Sequence, residues 1–170
     1  MYIEQLQQQV NSWNTQHKCG FDWEFSAPLF LNKINTVQVD NTEAVQVMLV
    51  WQGQLLFEGG LSYNQFGLVI PSTSTDNFEL YFLLPSFLDE NNYNEIKGHD
   101  INESRSVELE RLLSCLRGDG AGNNAMLDLC STFDGKYKLI KWNVFAVSEN
   151  FLDNNYIGFR VQVSLQKINV

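Results

Sequence analysis

Basic residues, histidine and cysteine are all scarce in this sequence, and each shortage closes off a class of function. Lys and Arg number 11 against 20 Asp and Glu, which leaves a formal charge of -9 and a pI near 4.6. A surface of that sign repels phosphate backbones and anionic lipid heads, which argues against sequence-specific nucleic-acid binding and against a membrane partner. The 3 cysteines, Cys19, Cys115 and Cys130, are odd in number and far apart. They argue against a disulfide-stapled scaffold and for a reducing compartment. With 2 His in the chain, His17 beside Cys19 supplies two ligands at most and His99 stands alone. A structural zinc site needs about four such ligands, so no metal is expected.

Long apolar runs are missing as well. The longest, such as 80–84, is strand-length, far short of the roughly 20 residues a bilayer crossing requires. The first residues, Met1-Tyr2-Ile3-Glu4-Gln5-Leu6, lack the basic and apolar regions of a signal peptide. The expectation is a protein that is soluble when made.

Nor do the usual reactive patterns occur. Gly118-Asp119-Gly120-Ala121-Gly122 precedes a helix, but the P-loop lysine is absent and Asp119 puts negative charge where phosphate would sit. It reads as an inter-helix turn. Asp89, Asn91 and Glu95 fail as a calcium loop, because Tyr93 and Asn94 stand where an oxygen ligand and a glycine belong. There is no Gly-x-Ser-x-Gly elbow. The reading is therefore not an enzyme, with no catalytic residue and no cofactor. A small enzyme built on Cys19 and His17 would need those two residues to converge on a pocket.

What the chain has in quantity is apolar and aromatic residues, 44% and 13% of its 170, enough for one domain over 1–170 with a real core. Ile3, Leu6, Val10 and Trp13 fall on one stripe of an N-terminal helix that ends by Gly20. Phe21-Asp22-Trp23-Glu24-Phe25 alternates as a half-buried strand up to Pro28, and Val37-Gln38-Val39 alternates again. Residues 44–51 are dense in β-branched residues and almost uncharged, as in a strand covered on both faces. Glycines at 53, 59, 60 and 67 break the following stretch into a projecting hairpin around 52–70. Phe78, Leu80, Phe82 and Leu84 make the dry face of another strand, stopped by Pro85.

Leu109, Leu112, Leu113 and Leu116 then mark a helix, capped by Asn102 or Ser104 and stopped at Arg117-Gly118. Met126, Leu129, Cys130 and Phe133 mark a second, capped by Asn123 or Asn124 and closed by Gly135, so the two form a helix pair. On these stripes Cys115 and Cys130 read as small hydrophobes. Strands at 137–147 and 157–165 end the chain. The order lacks strand-helix alternation, which predicts an α+β fold: a mainly antiparallel sheet packed with an N-terminal helix and a central helix pair.

Two aromatic concentrations either fill the core or anchor a partner. One comprises Phe21, Trp23, Phe25 and Phe30, and the other lies in the Asn-rich segment carrying Phe151, Asp153 and Tyr156. With Phe57, Tyr63 and Phe66 of the hairpin, these are the candidate interface residues.

Several segments resemble small head-tail joining and tail-completion proteins of tailed bacteriophages, including the tail terminators. They are Val10-Asn11-Ser12-Trp13-Asn14 leading into Cys19-Gly20-Phe21-Asp22-Trp23-Glu24-Phe25, Tyr81-Phe82-Leu83-Leu84-Pro85-Ser86, Tyr93-Asn94-Glu95-Ile96-Lys97-Gly98-His99, and Phe151-Leu152-Asp153-Asn154-Asn155-Tyr156-Ile157-Gly158-Phe159. The resemblance implies a virion structural subunit made in the host cytoplasm. It implies a homo-oligomeric ring at the neck or the top of the tail, partnered by tail-tube protein or a portal-side adaptor, with no catalysis. An acidic lumen would let DNA slide through without sticking. The competing expectation is a monomeric acidic inhibitor of the immunity type, masking a basic site.

Overall fold

The computed structural model describes residues 2–41, 43–56, 61–63, 65–67, 69–71, 75–85, 101–118, 124–133, 137–151 and 154–167. Helix α1 (Tyr2–Gln16) passes through a 3-10 turn (Lys18–Gly20) into strand β1 (Trp23–Leu29). A second 3-10 helix (Leu31–Thr36) leads to β2 (Val45–Leu56), the short β3 (Leu61–Tyr63) and β4 (Val69–Pro71), and β5 (Thr75–Pro85). Helices α2 (Ile101–Arg117) and α3 (Ala125–Phe133) follow, then β6 (Tyr137–Phe151) and β7 (Asn154–Lys167). Five strands form one sheet in the order β1-β2-β5-β7-β6. Among the described residues only the β1–β2 pair is parallel. The arrangement is α+β, as the element order predicts.

The main core lies between the sheet and its helices. Leu6, Val10 and Trp13 of α1, Leu112 and Leu116 of α2, and Ala125, Leu129 and Phe133 of α3 pack on Val47, Leu49, Phe78, Leu80, Phe82, Val161, Val163 and Leu165. The period-2 patterns of β5 and β7 thus mark one face, and facing residues such as Leu80 and Val161 are register partners. A smaller core of Ile34, Met48, Val50, Tyr81, Leu83 and Tyr156 closes the other face. β2 is buried on both sides, which accounts for its unbroken apolar run.

Several local expectations give way. α1 stops at Gln16, and the chain leaves it through positive φ at His17, Cys19 and Gly20. β1 begins at Trp23 and runs through Pro28, which an edge strand tolerates because one side needs no ladder hydrogen bond. Residues 37–39 form no strand. They connect the second 3-10 helix to β2 and pack Val37 and Val39 on the smaller core. Asn102 and Ser104 lie inside α2 and so do not cap it. Asn124 does cap α3, its Oδ1 accepting the Leu127 amide at 3.2 Å. Gly118, at φ +83°, ends α2 with its amide on the Ser114 carbonyl at 2.9 Å. The expected stop at Gly135 and the loop at 86–100 lie outside the described residues.

Two positions test this packing. Gly158 of β7 sits against β5, and a Cβ there would run into the Phe82 carbonyl oxygen. Gly158→Val should therefore lower stability by about 3 kcal/mol, the upper end for overpacking, as read by urea denaturation. At Tyr156, burial and then the neighbouring Glu24 charge push the phenol above its ordinary range. The unfolded chain releases that proton first, so this contribution is present below pH about 10 and is lost as pH rises through the folded value. Tyr156→Phe should flatten the alkaline fall in melting temperature.

Candidate interaction surfaces

Where α1 ends, sharp backbone turns fold three different anchors together. The Lys18 ammonium, on a side chain 9% exposed, meets the Asp128 carboxylate of α3 at 2.9 Å. The same Asp128 oxygen accepts the Trp13 indole N–H at 2.7 Å, and the Lys18 carbonyl accepts the Trp23 indole N–H at 3.0 Å. Cys19 is joined to Cys115 of α2 by a disulfide. Arg111 of α2 lies over the Phe21 ring, 4.1 Å from its centroid.

The disulfide corrects the expectation that these cysteines are unpaired. Its partners lie 96 residues apart in sequence. Closing so long a loop restricts the unfolded chain by about 4–5 kcal/mol in the chain-entropy picture. Cys130 is the free thiol, half-buried in α3, and burial pushes its pKa up. His17 is held away from the disulfide chemistry, exposed and bonded to Asp22 at 2.8 Å.

The candidate interface residues divide. Phe21, Trp23 and Tyr156 are 5%, 3% and 1% exposed and offer a partner nothing, because they fill the chain's own cores. Trp23 is the hub of a line of rings, with centroids 5.0 Å from Trp13, 6.0 Å from Phe21 and 6.3 Å from Phe82. Phe66, in the turn between β3 and β4, is 77% exposed. Tyr63 lies on β3, paired with Val69, and Phe151 ends β6, paired with Asn154. Phe57 and Asp153 lie outside the described residues.

Other exposed apolar side chains mark further surfaces, of which the sequence singles out only Phe30, one of the aromatics near the chain's start. β1 breaks register at Leu29, whose φ is +66°, and turns away from β2. This leaves Phe30 and Leu31 more than half exposed, with Phe30 edge-on to Trp51 at 6.1 Å. On the outermost strand β6, Ile140 and Phe145 are 49% and 41% exposed. Ile140 sits at a register shift between Leu139 and Lys141, and its only sequence signal is the break in alternation there. Phe145 is backed by the Arg160 guanidinium at 5.0 Å, which pairs with Glu79 at 3.6 Å, and Glu79 also accepts the Tyr81 hydroxyl at 2.9 Å.

Among the described residues no three His, Cys, Asp or Glu side chains gather as metal ligands. No helix among them is long and apolar enough to cross a membrane.

Asp128→Ala should strand the Lys18 ammonium and the Trp13 indole together, costing about 2 kcal/mol, since the carboxylate side of the pair is 31% exposed and solvent offsets part of the loss. Chemical denaturation of the oxidised protein reads this cost. No known family model matches the chain, and no curated protein does.

Proposed function

We propose that this protein is a structural subunit of a tailed-bacteriophage virion, assembling as a ring at the head-tail or tail-tube junction. The observation that carries the reading is an appendage the core does not need. Leu56 and Thr75 are register partners at the tip of the β2–β5 hairpin, so a turn of two residues would join them. The chain instead inserts residues 57–74 there, including the antiparallel β3–β4 pair and the exposed Phe66. An insertion at the end of an otherwise closed hairpin, tipped with an exposed aromatic, suits a subunit that reaches a neighbour or the tube. The net charge of -9 suits a lumen along which DNA moves without adhering.

Light scattering with negative-stain imaging tests the ring: discrete high oligomers, alone or on added tail-tube protein, are expected. Replacing 57–74 by Asn-Gly should leave the circular dichroism and the cooperative unfolding intact while abolishing assembly. Unchanged assembly would remove the arm from the reading. A strict monomer with one tight, salt-sensitive partner would favour the acidic inhibitor.

A further inference from the structure

We infer that the Cys19–Cys115 disulfide opens and closes in the folded chain, exchanging with a small thiol–disulfide couple of the glutathione type through Cys19, with Cys115 as the resolving thiol. The two sulfurs stand in unlike places. Cys19 is half-buried on the turn between α1 and β1, next to the exposed Gly20. There is room at that turn. Chain neighbours apart, a Cβ added to Gly20 would meet, among the described residues, only the Arg111 guanidinium, at 3.5 Å. Cys115 is 2% exposed on α2, in the main core with Leu112 and Leu116. An incoming thiolate therefore reaches Cys19 and not Cys115.

Neither side of the pair needs the sulfur bond to stay in place. The Gly20 amide donates to the His17 carbonyl at 2.7 Å, and the Phe21 amide and Trp23 indole N–H donate to the Lys18 carbonyl at 3.2 and 3.0 Å. Lys18 is tied to Asp128 of α3. Cys19 itself sits at φ +56°, which a residue with a side chain adopts when its surroundings impose it, and these bonds supply that constraint. On the other side, α2 is set by Leu112 and Leu116 in the core and by the Trp142 indole N–H on the Leu116 carbonyl at 3.1 Å. Reduction therefore leaves the two thiols facing each other from Cα atoms 6.2 Å apart, each at high effective concentration for the other.

In the opening direction a thiolate of the couple bonds to Cys19 Sγ, the Cys19–Cys115 bond breaks, and its electron pair leaves on Cys115 Sγ, which takes up a proton. A second thiolate then bonds to the outer sulfur of the mixed disulfide, and Cys19 leaves as a thiolate and is protonated. Two external thiols are oxidised and one protein disulfide is reduced. Closing runs the same steps backwards: Cys19 attacks the external disulfide, and Cys115 displaces the small thiol. The surroundings assign the two roles. A guanidinium beside the turn favours a thiolate on Cys19, whereas burial keeps Cys115 protonated until the mixed disulfide is presented to it. The couple then sets how readily the chain unfolds rather than its shape, because the constraint on a loop of 96 residues is present or absent in the same fold.

The test uses the full chain with Cys130→Ser, which leaves these two cysteines alone. In native buffer, mixtures of reduced and oxidised glutathione should interconvert the two forms with the circular dichroism unchanged. Acid quenching during the exchange should trap a mixed disulfide whose glutathione maps by peptide mass to Cys19. With Cys115→Ser, Cys19 should take up glutathione from its disulfide and keep it. With Cys19→Ser, Cys115 should react more slowly by about tenfold or more, and the difference should vanish in urea, where both thiols are exposed. Glutathione on Cys115 in the trapped intermediate, equal native rates for the two folded variants, or opening no faster than global unfolding would overturn the inference and leave the disulfide a fixed cross-link. The trapping is read on the intact pair, so it decides the matter even where a serine variant does not fold.

Discussion

The helical layer depends on one carboxylate. Asp128 accepts the Trp13 indole N–H from α1 and the Lys18 ammonium from the turn that follows it. A buried ammonium or indole N–H without a partner is costly, and Asp128, itself 31% exposed, partners both. Together they bind the exit of α1 to α3. The disulfide then binds the same turn to α2, and Trp142 donates its indole N–H to the Leu116 carbonyl at 3.1 Å, attaching the end of α2 to β6. Each tryptophan that packs under the helices therefore does two things. Its ring fills the core, and its single donor fixes which element lies beside it.

A carboxylate plays the corresponding part on the opposite face of the sheet. Glu24 of β1 accepts the amides of Asp40 and Asn41 at 3.0 and 3.1 Å, and the Gln46 side-chain amide at 3.1 Å. It pins the connection that returns the chain to β2, which is what allows β1 and β2 to run parallel. Val37, Val39 and Ile34 are carried onto Met48 and Val50 by that connection. Burial of Tyr156 beneath it, near Glu24, raises the phenol pKa. Because the connection covers only part of this face, the region around Phe145 and Arg160 stays accessible.

The sheet and helices were legible where one residue period implied one face. Phe78 to Leu84 and Ile157 to Leu165 alternate because each strand has a helix-covered side, and the Leu112–Leu116 spacing marks the stripe of α2 that meets the sheet. What periodicity does not encode is which element neighbours which. Nothing local distinguishes a parallel β1–β2 pair from an antiparallel one. Nothing local joins Cys19 to Cys115, since three cysteines leave the choice of pair open. The Phe-x-Trp-x-Phe alternation around Trp23 is identical for a core strand and a sticky surface, and the fold resolves it by placing α1 over those rings. Nothing local marks Lys18 as a buried cation, because its partner lies 110 residues further on.

The two cysteine assignments bear on when the fold is completed. A chain made in a reducing cytosol would first fold with Cys19 and Cys115 as thiols. The Lys18–Asp128 and Trp13–Asp128 contacts require no oxidation and already hold the turn against the helices. They bring the thiols into reach, so the disulfide locks an arrangement that packing has selected rather than creating it.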